Sequence, residues 1–213
     1  MELIVPNNLS EITLKQYQRF LKIQEKETDE NFLRCKMIEI FCNIDAKTVR
    51  KMKLSDAEKI TSILSDMFEQ KPQLVQTFKL GDVNYGFIPD LDEISLGEYI
   101  DLDTHISQWD KMHVAMNVLY RPIKEQIKDK YTIVPYDTTN EPLDEIPMDV
   151  VFGSIFFFYN LGIDLSQTMM NYLEEEGDSP LMEHLTSTEN GVGIKASMVY
   201  LKEMLQDLKI SLN

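Results

Sequence analysis

The sequence predicts a mainly α-helical fold, a helical bundle in two halves with one small β-hairpin near residues 77–88. Apolar side chains recur at the three- and four-residue spacing of amphipathic helices through most of the chain. Capping signatures at Thr13/Gln16, Ser55/Glu58 and Ser95/Glu98 mark helix starts. The period changes clearly at TFKLGDVNYGFI, where Gly81-Asp82 parts two strand-like runs as a tight hairpin turn would. The expected units are an N-terminal helical bundle over 1–76, the hairpin with central helices over 77–122, an apolar helical half over 123–176, and a mobile linker with a terminal amphipathic helix over 177–213.

In chain order, Met1 to Asn8 reads as an extended arm broken by Pro6. Thr13 then opens a helix with Leu14, Tyr17, Phe20 and Leu21 on one stripe. A second, about Asp29 to Cys42, is apolar nearly all round and is expected at the centre of the first core. Asp45 caps a short piece holding Val49 and Met52, and Ser55 caps a helix with Ile60, Ile63, Leu64, Met67 and Phe68 on one side, stopped by Pro72. Beyond the hairpin, Ser95 opens a short helix with Leu96, Tyr99, Ile100 and Leu102. Thr104 caps a longer one, in which Ile106, Trp109, His113, Met116 and Leu119 recur until Pro122 stops it.

Ile123 to Lys130 is polar with a weak apolar repeat, Tyr131 to Val134 has strand composition, and Pro135 to Pro147 reads as an exposed loop. Pro147 suits the first turn of the most apolar helix, Val150 to Tyr159, with Asn160-Leu161-Gly162 as its stop. Asp164 and Gln167 open another through Met169, Met170 and Leu173. Glu174 to Gly193 is expected to be mobile, and a last amphipathic helix spans about Lys195 to Ile210.

A net charge of −15 opposes binding to nucleic acid phosphate or an anionic membrane, because both partners would carry the same sign. The opening MELIVPNNLSEIT lacks the basic start and apolar run of a targeting segment, and no apolar run is long enough to span a bilayer. Cys35 and Cys42 lie about two helical turns apart, too far for a disulfide, and read as reduced thiols. Phosphate-binding glycine loops, HExxH, CxxC and GxSxG are absent, so the expectation is a protein that is not an enzyme and has no cofactor. Asp101, Asp103 and His105 would share one side of an extended segment, which makes a metal-dependent module an alternative. Helix-start positions attract Asp for a simpler reason, the dipole and free N–H groups of the first turn.

The 12 Met, 10 Phe and 9 Tyr point to protein contacts, since methionine adapts to irregular surfaces and aromatics carry interface energy. The candidate partner-binding residues are Phe156, Phe157, Tyr159, Met169, Met170, Met198, Leu201 and Leu205, with plain core filling as the competing reading. Trp109, His113, Arg121 and Pro122 mark a candidate hinge between the halves, and Arg121 is expected to pair with a nearby carboxylate.

The phrases ITLKQYQRF, YGFIPDLDEISLGEYIDLD, VLYRPI and MDVVFGSIFFFYNLG resemble a group of small acidic structural or tail assembly proteins of tailed bacteriophages. The resemblance runs to about Leu173 and fades beyond it. It implies a non-enzymatic morphogenesis protein, the nearest class being the tail assembly chaperone, which keeps tail-tube or tape-measure polypeptide soluble until polymerisation. Its alternative is a virion subunit, a head-to-tail connector or tail ring component using the hairpin and the loop at Pro135 to Pro147 as subunit contacts. The implied partners are other phage structural proteins or further copies of the chain. The implied place is the host cytoplasm during assembly, or the virion. From charge alone, an acidic mimic of nucleic acid is a third reading.

Overall fold

The computed structural model describes residues 3–128, 130–138 and 143–176, with side chains of the last span described as far as Asp164. Helices α1 (Leu14–Gln24), α2 (Glu30–Phe41), α3 (Ala46–Arg50) and α4 (Leu54–Phe68) come first, followed by strands β1 (Thr77–Leu80) and β2 (Val83–Phe87). Helices α5 (Leu96–His105) and α6 (Met112–Leu119) then lead into strands β3 (Tyr120–Ile127) and β4 (Lys130–Ile133), and α7 (Met148–Glu176) completes the described chain. The fold is mixed α and β, and the mainly α expectation is overturned. The hairpin at 77–88 is one half of a four-stranded antiparallel sheet in the order β1-β2-β3-β4.

The missed strand β3 begins at Tyr120, directly after α6. Pro122 biases Arg121 away from helical geometry and toward extended backbone, so the residues expected to finish a helix start a strand. Pro122 pairs with Tyr85 on β2 and sits beside a register irregularity at Ile123/Glu125, the setting in which a strand tolerates a residue without an N–H. The outer half of β3 is exposed and charged, which hid its two-residue period.

Further helix boundaries also differ. The expected long helix from Thr104 to Pro122 is interrupted: Thr104 lies inside α5, where its hydroxyl donates to the Ile100 carbonyl at 2.7 Å, and a 3-10 turn at Trp109–Lys111 precedes α6. Ser55 does not cap α4, whose N-cap position is Lys53 with no side-chain cap bond. Asn160-Leu161-Gly162 does not stop α7, which runs on through Asp164 to Glu176. One helical glycine costs about 1 kcal/mol, too little to end a long apolar helix.

One cluster of buried residues runs from Leu9 to Ile155 and joins the first helices, α6, the start of β3 and the first turns of α7. Tyr17 sits at its aromatic centre, against Phe68, Trp109 and Phe152. Backbone bonds tie the start of α1 to the segment entering α7: Leu14 N–H donates to Ile146 O at 2.9 Å, Lys15 N–H to Asp144 O at 2.7 Å, and Met148 N–H to Ile12 O at 2.9 Å. A buried polar node fixes α7 to the sheet. The Tyr120 hydroxyl donates to Val75 O at 2.8 Å and meets Ser154 Oγ at 3.0 Å, while Ser154 Oγ also reaches Val150 O at 2.9 Å. Burial pushes the Tyr120 phenol well above its ordinary value, so it stays neutral in this node.

Candidate functional site

Helix α5 starts as its sequence predicts, with the Ser95 hydroxyl accepting from Glu98 N–H at 3.3 Å and a Glu98 carboxylate oxygen accepting from Ser95 N–H at 2.8 Å. Beyond this cap the helix is inverted. Its inward face carries Glu98, Asp101, Leu102 and His105, at the i, i+3, i+4 and i+7 positions of one side. Its outward face carries Leu96, Tyr99 and Ile100, exposed at 75%, 44% and 51%.

The inward face is held by charge. Glu98 and Arg121 are each only 7% exposed, and Arg121 Nη1 meets Glu98 Oε1 at 2.8 Å. Burial alone would raise the Glu98 carboxyl, but hydrogen bonds from Ser95 and the charge of Arg121 outweigh it and hold the group below its ordinary value. Burial pulls the Arg121 guanidinium down from its ordinary value, and Glu98 opposes that pull. One turn on, the Tyr136 hydroxyl donates to Asp101 Oδ2 at 2.8 Å; burial first, and that bond second, push the phenol up to about 12. Arg121 Nε and His105 Nδ1 are buried with no hydrogen-bond partner among the described residues. The inward side of α5 thus takes up ionisable groups that water would solvate at no cost, while large apolar groups face outward.

Phe156, Phe157 and Tyr159 are half-buried against the core, with Phe157 edge-on to Phe87 at 5.7 Å. Met169 and Met170 lie in the part of α7 whose side chains are not described, and Met198, Leu201 and Leu205 lie outside the described residues, as does the expected mobile segment beyond Glu176. Of the hinge set, Trp109 packs between Tyr17 and Phe152, Arg121 finds Glu98, and Pro122 stands in β3. His113 is half-buried, and burial lowers its pKa, with Lys111 adding to the shift. Asp101, Asp103 and His105 sit on a helix and not on an extended segment, so Asp103 turns outward while the other two turn in. Among the described residues no three His, Cys, Asp or Glu side chains come together to hold a metal ion. Cys35 and Cys42 are free thiols, and burial pushes Cys42 up to about 11.

Apolar spacing groups Leu96, Tyr99, Ile100 and Leu102 on α5, and of these four only Leu102 is buried. The signal for a charged inner face is the ionisable stripe at positions 98, 101 and 105 together with the buried cation at 121, visible only once β3 is known to lie beside α5.

The chain matches no protein-family model, no curated protein and no solved structure. Among the described residues, no helix is long and apolar enough to cross a membrane.

Proposed function

We propose that this chain is a non-enzymatic phage morphogenesis protein of the tail assembly chaperone class, acting by reversible contact with another polypeptide. The observation that carries the reading is the inverted helix α5, whose exposed Leu96, Tyr99 and Ile100 cost solubility and whose inward charges secure its orientation. The net charge of −15 supports it, because like-charge repulsion keeps a sticky surface from aggregating while an apolar client is held. The stretch of α7 from Phe156 to Leu161 adds apolar area, with Leu161 45% exposed and Phe156 to Tyr159 only half-buried. The phage assignment comes from the phrases quoted above, foremost YGFIPDLDEISLGEYIDLD, which covers α5 as far as Asp103.

The test is co-expression with the tail-tube and tape-measure polypeptides of the same phage genome, followed by mass spectrometry of mature particles. The expected result is client kept soluble in the presence of the chain, and no stoichiometric copies of the chain in the particles. Stoichiometric copies in mature particles would defeat the chaperone reading and make the chain a virion subunit. Clients that precipitate equally with and without it would defeat the chaperone reading.

A further inference from the structure

The outward face of α5 has a charge environment that selects what can sit on it. Between Lys79 and Lys111 the sequence holds no lysine or arginine. Asp92 and Glu93 are exposed just before the helix. Leu96, Tyr99 and Ile100 therefore form an apolar stripe bounded by carboxylates at its start and by no cation of its own segment. We infer that this face seats a basic amphipathic helix of a partner protein, which lays its apolar side on Leu96, Tyr99 and Ile100 and brings lysine or arginine to Asp92 and Glu93. The inference rests on the protein-binding reading above and adds the chemistry of the segment that is bound.

Charge decides between the occupants. A second copy of the chain, joined through this face by a two-fold axis, would set the same carboxylates against themselves. Nucleic acid and anionic membrane are repelled for the same reason. A basic amphipathic helix satisfies both halves of the stripe, its leucines covering the apolar trio and its cations meeting the rim. The docking platform needs no rearrangement, because the Glu98–Arg121 pair and the Tyr136–Asp101 bond already fasten the inner side of α5.

The full chain is titrated with a labelled leucine/lysine peptide of about 18 residues, five helical turns with one apolar face, and with a leucine/glutamate peptide of the same pattern. Fluorescence anisotropy measures affinity and amide chemical shifts map the contact. The expected result is binding of the leucine/lysine peptide with shifts centred on residues 92–103, about tenfold or more weaker for the Leu96→Ser/Ile100→Ser double variant. Glu93→Lys should weaken it further at low salt than at high salt, and the leucine/glutamate peptide should not bind. Equal affinity for native chain and double variant, or shifts centred elsewhere, would overturn the assignment, since attraction to an acidic protein in general would then account for the binding. The two readings fail separately. If tail proteins bind native and double-variant chains alike, the protein-binding function stands and this surface assignment falls. If no tail protein binds while the leucine/lysine peptide still seats on α5, the function falls and the surface chemistry stands.

Discussion

Helices α1 and α5 use the same device to start and opposite means to stay in place. Each has a reciprocal capping box, Thr13 with Gln16 in one and Ser95 with Glu98 in the other. Helix α1 then buries Leu14, Tyr17 and Phe20, and its N3 side chain Gln16 also reaches across to Ile40 O at 2.9 Å, a neutral contact at the margin of the core. Helix α5 buries its N3 carboxylate against Arg121 and leaves three large apolar side chains in water. Apolar burial holds a helix without fixing what lies outside it, whereas a buried ion pair fixes which way the helix faces. The difference teaches that amphipathicity read from a sequence gives two faces but not which of them is the inner one.

The largest expected effect tests that contrast directly. Glu98→Ala leaves Arg121 as an uncompensated buried charge and should cost about 3–5 kcal/mol by chemical denaturation. Leu14→Ala in α1 should cost about 2–5 kcal/mol through its cavity. The two differ in their cure. Adding Arg121→Met to Glu98→Ala should recover most of the loss, because the orphaned charge is gone, and a double variant no better than the single one would mean that α5 is held by packing after all.

Acid separates the helices next. A carboxyl held below its ordinary value stabilises the fold fully above that value, 4.5 for glutamate, and loses its contribution as pH falls through the lowered folded value. Urea midpoints should therefore fall for the native chain as pH drops below that point, and fall less for Glu98→Gln. Leu14→Ala, which removes no titrating group, should lower the midpoint by a similar amount across the same range.

Much of this was legible in the sequence, and the losses have physical causes. Both capping boxes, the Asp45 cap and the hairpin turn at Gly81, with φ +58°, follow from local chemistry and stand where the sequence puts them. The sheet was missed because β3 shows its partners only through long-range pairing, and its exposed half is polar with only a weak apolar repeat. The Ser55 box failed because a third-position pairing of Ser and Glu is also what a charged first turn contains. The inner face of α5 was not legible because spacing cannot say that Arg121 would be buried beside it.

The caps offer a smaller measurement on the same pair of helices. Thr13→Ala and Ser95→Ala should each cost about 1 kcal/mol if the box does equal service in both. A much larger loss at Ser95 would mean that the cap, and not Arg121, is what turns Glu98 inward.

The smallest expected effect is the one most informative about the surface. Leu96→Ser and Ile100→Ser replace large apolar groups, a change that in the buried stripe of α1 would be severe. On the outward face of α5 each should shift stability by no more than about 1 kcal/mol, since the side chains keep half or more of their surface in water in the folded chain and helix propensity changes little. Thermal unfolding of the single and double variants measures it. A double variant that loses several times this amount would mean that Leu96 and Ile100 are covered in solution. In that case α5 would be a normal amphipathic helix whose second apolar contact is made by another part of the chain or another copy of it. A null result leaves the trio exposed and unsupported by folding, so that any loss of partner binding in the same variant reads as loss of contact and not of structure.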